Sequence, residues 1–269
     1  MGTETTVTYA LSGGVAWLAL NRPHKRNAID ATLLSELQAA VRRAQAEARA
    51  LVIFGQGPCF SAGADLTEQS AREPMEVFHL SRTWHAAFSL LRHGRIPVIA
   101  ALHGAAIGGG LELAAACHIR IADESTFFAL PEGTRGIYVG GGASVYVARL
   151  LGAARMADMM LTGRVLDAAA AERAGLVQYL VPKDEAKSKA GELAAKVLAM
   201  APLTILGVLH ALPRIQDMSE PDGLFVESLM VALCSTGPEA AARVAEFVAK
   251  RSAKVAPPDE AVRAAARRL

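Results

Sequence analysis

The sequence has few of the features that mark several common classes of protein. Its three cysteines, Cys59, Cys117 and Cys234, stand apart and form no CxxC pair, so neither a disulfide framework nor a cysteine zinc site is predicted. The 28 Lys and Arg residues nearly balance 26 Asp and Glu residues, which leaves a formal net charge of +2. No basic tract interleaves with aromatic residues, and this excludes a typical nucleic-acid-binding surface. Isolated thiols suit a reducing compartment, and we expect a cytoplasmic protein.

Long apolar runs and the usual ligand-binding signatures are also missing. The most apolar long stretch, residues 96–117, is interrupted by His103, four glycines and Glu112, so it is not predicted to span a membrane. The N-terminus shows no secretory signal pattern. No GxGxxG follows a predicted strand, and no P-loop motif occurs. The histidines lack metal-binding HExxH spacing, and no metal site is expected.

Aliphatic and small residues supply most of the apolar content that is present. Hydrophobic residues make up 52% of the 269 residues and aromatic residues only 5%. This length allows one large domain, or a domain with an appendage. Alternating apolar residues over 6–11 and 15–21 predict a hairpin, and Asp30 is a plausible N-cap for a helix over 31–48. A strand is predicted over 176–181, and helices are predicted almost throughout the chain from residue 185 onward, including one over 204–212.

The most informative stretch, residues 95–136, is predicted to run strand, glycine-rich turn, short helix, strand, turn and second strand. Gly108, Gly109 and Gly110 precede the helix-forming run 111–117. The first N–H groups of a helix lack partners and lie at its positive end, where they favour an anion or a developing oxyanion. Glu112 lies within the first turn, and Glu132 follows 20 residues later. This arrangement suggests acid–base chemistry on a carbonyl compound, although glycine triplets and helix-start glutamates also occur for structural reasons alone.

The segment 59–66, CFSAGADL, nearly matches the GxSxG turn of serine hydrolases. Cys59 occupies the first glycine position, and no convincing Asp-then-His order of triad partners follows. We therefore reject a serine hydrolase.

Three segments together carry a resemblance to a known family. HGAAIGGGLELAAACHIRIA, FSAGADL and LNRPHKRNAID resemble motifs of the enoyl-CoA hydratase/isomerase (crotonase) superfamily, and the likeness spans about residues 5–255. It implies an α/β fold with a spiral of repeated ββα units over residues 1–200. It also implies a C-terminal helical region, 201–269, that assembles a homotrimer or a dimer of trimers. The substrate would be an acyl-CoA, with coenzyme A part of the substrate and no separate cofactor.

The resemblance also assigns roles to particular residues. The backbone N–H groups of Ala64 and Gly109 would form an oxyanion hole for the thioester oxygen. Glu112 and Glu132 would be the catalytic carboxylates. Further contacts with the acyl group or coenzyme A are expected from Lys25, Arg26, Ala28, Ala62, Asp65, Leu66, Trp84, Phe88, Gly141, Phe247 and Lys250. Of these, Phe247 and Lys250 would serve the adenosine end of coenzyme A from a neighbouring subunit.

The sequence departs from the family pattern near a second glycine triplet, Gly140–Gly142. The family usually has a proline near Val139 and Gly-Thr-Gln near Ala143 and Ser144. Arg135 stands where a small or apolar residue is common. A buried arginine needs a partner, which could be an acidic substrate group or, as we expect, a protein carboxylate.

These features predict a 2-enoyl-CoA hydratase. The helix dipole should favour the ionised form of Glu112, which we assign as the base that positions the water, with Glu132 as the acid. The alternatives are an isomerase or a CoA-thioester hydrolase or lyase of the same fold, and a non-catalytic acyl-CoA-binding member. Many relatives that catalyse those other reactions lack one of the two glutamates, so the presence of both favours hydration.

Overall fold

The computed structural model describes residues 5–68 and 73–249. These residues form two compact units: one contains 5–68, 73–200 and 208–210, and the other contains 201–207 and 211–249. The first unit mixes strands and helices, and the second is helical. The fold class is α/β, as the sequence predicts.

Nine strands form two sheets in the first unit. In chain order they are β1 (Val7–Ser12), β2 (Val15–Leu20), β3 (Ala50–Gly55), β4 (Val98–Leu102), β5 (Ala105–Ile107), β6 (Ile119–Asp123), β7 (Phe127–Ala129), β8 (Leu166–Asp167) and β9 (Tyr179–Val181). The large sheet has the order β1-β2-β3-β4-β6-β9, and the small sheet has the order β5-β7-β8. All neighbours in the large sheet are parallel except β1 and β2, which form the predicted hairpin. The inner strands β3 and β4 are almost wholly buried, which explains their continuous apolar sequences.

The helices follow the apolar periodicity closely in most places. They are α1 (Ala31–Glu47), α2 (Pro74–Arg92), α3 (Gly109–Ala116), α4 (Ala143–Leu151), α5 (Ala153–Thr162), α6 (Ala168–Arg173), α7 (Ala186–Leu198), α8 (Pro202–Leu206), α9 (Leu212–Ile215), α10 (Glu220–Ser235) and α11 (Pro238–Val248). Asp30 caps α1 as predicted, since its side chain accepts a 2.7 Å hydrogen bond from the N–H of Leu33. In the described residues no single helix is long and apolar enough to cross a membrane, and only a bent pair of helices passes that test of length and composition.

Two elements differ from their predicted extents. The strand expected over 176–181 forms only over β9, because just before it the backbone N–H of Arg120 donates to the side-chain oxygen of Gln178 and not to a backbone carbonyl. The helix expected over 204–212 is interrupted by a π-helical turn, Gly207–Ala211, between α8 and α9. Pro213 lies in the first turn of α9 and has no N–H to continue a regular helical ladder.

A repeated strand–strand unit positions the functional segments. In each repeat the first strand joins the large sheet (β4, β6) and the second joins the small sheet (β5, β7). Because β5 and β7 are parallel neighbours, with Ile107 opposite Ala129, both end at the same edge of the small sheet. The segments that follow, Gly108 onward and Leu130 onward, therefore start side by side. A hydrogen bond of 2.9 Å from the N–H of Gly108 to the carbonyl of Ala129 joins them.

Candidate active site

The start of α3 lies against Glu132 and requires glycine. Gly108 has φ +52°, a backbone conformation that other residues rarely adopt. A Cβ at this position would also collide with Oε1 of Glu132. The glycine thus lets a carboxylate from the segment after β7 lie directly against the N-terminus of the helix that carries Glu112.

The two predicted oxyanion donors lie side by side. The loop of Ala64 is held by hydrogen bonds from the N–H of Ile29 to the carbonyl of Gly63 and from the N–H of Asp65 to the carbonyl of Ile29, at 2.8 and 2.9 Å. A Cβ built on Gly109 would lie 3.4 Å from the backbone nitrogen of Ala64. Across residues 5–68 and 73–249 neither the Ala64 nor the Gly109 N–H has a hydrogen-bond acceptor. This pair of free donors can accommodate an external oxygen atom.

Glu112 is only 3% exposed and is oriented by the main chain. Its Oε1 accepts hydrogen bonds from the N–H groups of Gly141, at 2.8 Å, and Ala143, at 2.9 Å. Burial raises the pKa of Glu112 to about 7, although these hydrogen bonds act to lower it, and the nearby charge of Glu132 raises it further. Desolvation therefore outweighs the stabilisation of the ionised form that the helix dipole alone would give.

Glu132 is 9% exposed, and one of its oxygens has no partner. Within the described residues, its Oε2 is buried without a hydrogen bond. Burial raises the pKa of Glu132, and the nearby positive charge of Arg135 acts to lower it. A buried carboxylate oxygen without a partner is costly, which suits a group that receives a water molecule or a substrate atom.

Both carboxylates and both free N–H donors line one cavity of about 650 Å³. This volume is in the usual range for small-molecule sites. The walls are largely apolar, and they include Val77, Phe78, Leu80, Trp84, Ile107, Ile137 and Val139. The predicted residues Ala62, Asp65, Leu66 and Gly141 also line it. The arrangement combines a largely apolar chamber, a pair of free N–H donors and two carboxyl groups.

Of the two predicted aromatic contacts, Trp84 and Phe88, only Trp84 lines the cavity. Trp84 lines the cavity and covers Gly109, where an added Cβ would lie 2.5 Å from Cζ3 of the indole ring. Phe88 is fully buried and packs edge to face against Trp84, with ring centroids 5.5 Å apart. Phe88 is not among the cavity-lining residues, so its contribution to the shape of the chamber is made through Trp84.

The basic loop after β2 is attached to the loop that carries Ala64. Lys25 and Arg26 are exposed and Ala28 is buried, and none of the three lines the cavity. The carbonyl of Arg26 accepts a 2.9 Å hydrogen bond from the N–H of Ala62. This loop therefore presents two cations to solvent and is joined to the loop that carries Ala64.

Arg135 differs from its expected environment. We expected a buried arginine paired with a protein carboxylate, but Arg135 is exposed and lines the cavity. It forms no ion pair with any residue that the structure describes. The physical reason is its position on an exposed turn, where solvent replaces the counter-ion that burial would have required.

Two arginines that the sequence patterns did not single out support the site. Arg22 forms ion pairs with Asp30, at 3.0 Å, and Asp65, at 3.1 Å, and so joins α1 to the donor loop. Arg120 is 2% exposed and donates to the carbonyl of Cys117, at 2.6 Å, just beyond the end of α3. No local pattern identifies Arg22, because the fold brings Asp30 and Asp65 to it.

Phe247 and Lys250 are the two remaining residues that the sequence predicted to contact the substrate. Phe247 is 69% exposed on α11 in the second unit, and Lys250 lies outside the described residues. Among the residues described, no group of three or more His, Cys, Asp or Glu side chains has the arrangement of a metal site.

Comparison with known proteins gives one consistent family. A family model described as enoyl-CoA hydratase/isomerase matches residues 10–254. "Probable enoyl-CoA hydratase" of Rhizobium meliloti (strain 1021) is 34% identical, covering 93% of this chain and 97% of that protein. "2,3-Dehydroadipyl-CoA hydratase" of Escherichia coli (strain K12) is 32% identical, covering 88% and 93%. A crystal structure from Rhodopseudomonas palustris CGA009 is 48% identical, with a TM-score of 0.89 over 93% of this chain and 97% of that one.

Proposed function

Because this chain belongs to the enoyl-CoA hydratase/isomerase family, we propose that it is a 2-enoyl-CoA hydratase. Such an enzyme adds water across the C2=C3 double bond of an enoyl-CoA thioester. The observation that carries the proposal is the presence of two carboxyl groups, Glu112 and Glu132, in one cavity with two free backbone N–H donors. The relatives named as hydratases, at 32% and 34% identity, support the same reaction.

The two N–H groups would bind the thioester oxygen. When a nucleophile adds to C3 of an α,β-unsaturated thioester, negative charge moves through C2 to that oxygen. The Ala64 and Gly109 N–H groups are already in place and have no other acceptor in the described part of the chain. Fixed donors of this kind stabilise the developing charge, and loss of one costs roughly 10²- to 10³-fold in rate in other enzymes.

The carboxyl pair would move the protons. Glu112 takes a proton from water as the water oxygen bonds to C3, and Glu132 gives its proton to C2. One water O–H bond, the Glu132 O–H bond and the C2=C3 π bond break, while a Glu112 O–H bond, a C3–O bond and a C2–H bond form. Transfer of one proton from Glu112 back to Glu132 then restores the pair. The pKa of Glu112, raised to about 7 by burial, suits a pair that holds one proton near neutral pH.

Coenzyme A would extend from the cavity towards the exposed Lys25 and Arg26, whose charges suit its phosphates. We further propose a homotrimer or a dimer of trimers in which Phe247 and Lys250 serve the adenosine end from a neighbouring subunit. Exposed apolar side chains such as Phe225 and Val231 on α10 support an assembly role for the C-terminal helices.

The proposed reaction uses coenzyme A only as part of the substrate and needs no separate cofactor. Three unpaired cysteines support a cytoplasmic location.

The test is hydration of short and medium 2-enoyl-CoA thioesters, followed by loss of the conjugated-thioester absorbance. Glu112→Gln and Glu132→Gln should each lower kcat by roughly 10²- to 10⁴-fold, whereas Glu124→Gln, at an exposed turn, should leave it unchanged. Mass analysis of the product should show one added water and no free coenzyme A. An unchanged mass with a moved double bond would instead indicate an isomerase, and release of coenzyme A would indicate a hydrolase. Tight acyl-CoA binding without turnover would indicate a non-catalytic member.

A further inference from the structure

Arg135 is the single cation among the described residues that line the cavity. It ends a short 3-10 turn, Gly133–Arg135, that starts directly after Glu132. Its backbone N–H donates a 3.0 Å hydrogen bond to the carbonyl of Glu132. The position of Arg135 along the cavity wall is thus tied to the position of a catalytic carboxyl group.

Among the described residues, the acidic side chains that line the cavity do not form ion pairs with Arg135. Asp30 and Asp65 are both bound to Arg22, at 3.0 and 3.1 Å. Glu112 accepts two main-chain hydrogen bonds. Glu132 lies beyond ion-pair distance of Arg135, although the positive charge of Arg135 acts to lower the pKa of Glu132. In the described parts of the chain, the guanidinium of Arg135 therefore has no carboxylate to bind, and its five N–H donors remain available to a ligand.

The rest of the wall would suit a hydrocarbon chain without any cation. Val77, Phe78, Ile137 and Val139 present apolar side chains to the same chamber. A guanidinium adds a feature that a plain alkyl group cannot use, because its planar fork matches the two oxygens of a carboxylate.

From this we infer that the cavity accepts enoyl-CoA thioesters whose acyl chain ends in a carboxylate, with Arg135 binding that terminal group. The substrate class is the monothioesters of unsaturated dicarboxylic acids. The inference rests on the proposed hydratase function for its chemistry, but the binding preference can be measured without turnover. Arg135 is in this sense a specificity-determining residue for the acyl end of the substrate.

The experiment compares two matched acyl groups. 2,3-Dehydroadipyl-CoA and 2-hexenoyl-CoA carry chains of equal length and differ only in a terminal carboxylate against a methyl group. We expect wild type to favour the first in kcat/KM, and Arg135→Gln to lose that preference by roughly 10- to 100-fold, the range for loss of a charge-assisted hydrogen bond. Arg135→Lys should keep part of it. Turnover of 2-hexenoyl-CoA is the internal control for folding, and Arg42→Gln, at an exposed position on α1, is the control for loss of a surface charge.

Binding of the saturated adipyl-CoA and hexanoyl-CoA by calorimetry separates this inference from the reaction. Tighter binding of adipyl-CoA that disappears in Arg135→Gln would support the inference even if neither enoyl-CoA were hydrated, in which case only the hydratase proposal would fail. If Arg135→Gln lost equal affinity for both acyl-CoA compounds, the inference would be overturned. Arg135 would then be assigned to binding the phosphates of coenzyme A or to lowering the pKa of Glu132. Absence of any preference in wild type would overturn it as well.

Discussion

The backbone N–H of Gly141 donates a 2.8 Å hydrogen bond to Oε1 of Glu112, across 29 residues of sequence. This bond joins the second glycine triplet to the helix that begins at the first. The neighbouring Ala143 N–H donates to the same oxygen at 2.9 Å. One carboxylate oxygen is therefore positioned wholly by main-chain groups, and the orientation of Glu112 depends on the path of the chain before α4.

This relationship predicts different results for two adjacent glycines. A Cβ on Gly141 would lie 2.8 Å from Oε2 of Glu112 and 2.9 Å from a ring carbon of Phe88, so Gly141→Ala should displace the carboxyl group. A Cβ on Gly140 would meet only the side chain of Ser81, at 3.8 Å, an ordinary contact. We expect Gly141→Ala to lower kcat at least tenfold, as misplacement of a catalytic group does, and Gly140→Ala to retain most activity. Equal activity of the two variants in steady-state kinetics would contradict the assigned position of Glu112.

The buried state of Glu112 predicts a pH-dependent stability. Its pKa is raised from 4.5 to about 7, so the folded protein favours the neutral form, and the cost of ionising Glu112 grows as pH rises through this interval. Glu112→Gln removes that cost. Its unfolding free energy relative to wild type should therefore increase by about 2–3 kcal/mol between pH 5 and pH 8.

Urea unfolding at both pH values, at one fixed protein concentration, measures this difference. Glu124→Gln, at an exposed turn, gives the baseline for loss of one carboxylate. A difference between Glu112→Gln and wild type that stays constant with pH would show that Glu112 is better solvated than its 3% exposure implies.

Arg120 offers a test of the support behind α3. Its guanidinium donates to the carbonyls of Cys117 and Leu176, both at 2.6 Å, and to the side chain of Gln178 at 3.1 Å. Arg120→Met would remove this donor from the buried carbonyls of Cys117 and Leu176 and should lower the free energy of unfolding by about 2–4 kcal/mol. The exposed Arg95→Met should change it by less than about 0.5 kcal/mol. Thermal and urea unfolding measure both, and equal stability would show that water replaces Arg120.

Much of the fold and several site residues follow from local sequence. The β1–β2 hairpin, the Asp30 cap of α1 and the glycine turn before α3 each depend on residues close together in the chain. Such features are predictable because backbone conformation, capping and side-chain alternation act over a few residues. The resemblance to the family motifs also predicted Glu112 and Glu132 as site residues, and the structure places both in one cavity.

Other features depend on contacts that no local pattern contains. The partners of Glu112 are 29 and 31 residues away, and Arg22 reaches Asp65 across 43 residues. The buried position of Phe88 behind Trp84, and the solvent-exposed position of Arg135, follow from how α2 and the 3-10 turn pack. Helical periodicity predicts which residues lie on the buried face of a helix. It does not show whether such a residue lines a cavity or packs behind another residue that lines it.

The use of main-chain atoms as the proposed oxyanion donors has a consequence for enzyme engineering. Ala64 and Gly109 contribute N–H groups, whereas the cavity wall includes side chains such as Phe78 and Tyr138, which are 56% and 70% exposed. Substitution libraries at the wall can therefore alter which acyl groups fit while the donors keep their geometry. In the proposed mechanism the determinants of substrate range are thus separate from the determinants of rate, and this makes the scaffold a starting point for directed evolution towards new thioesters.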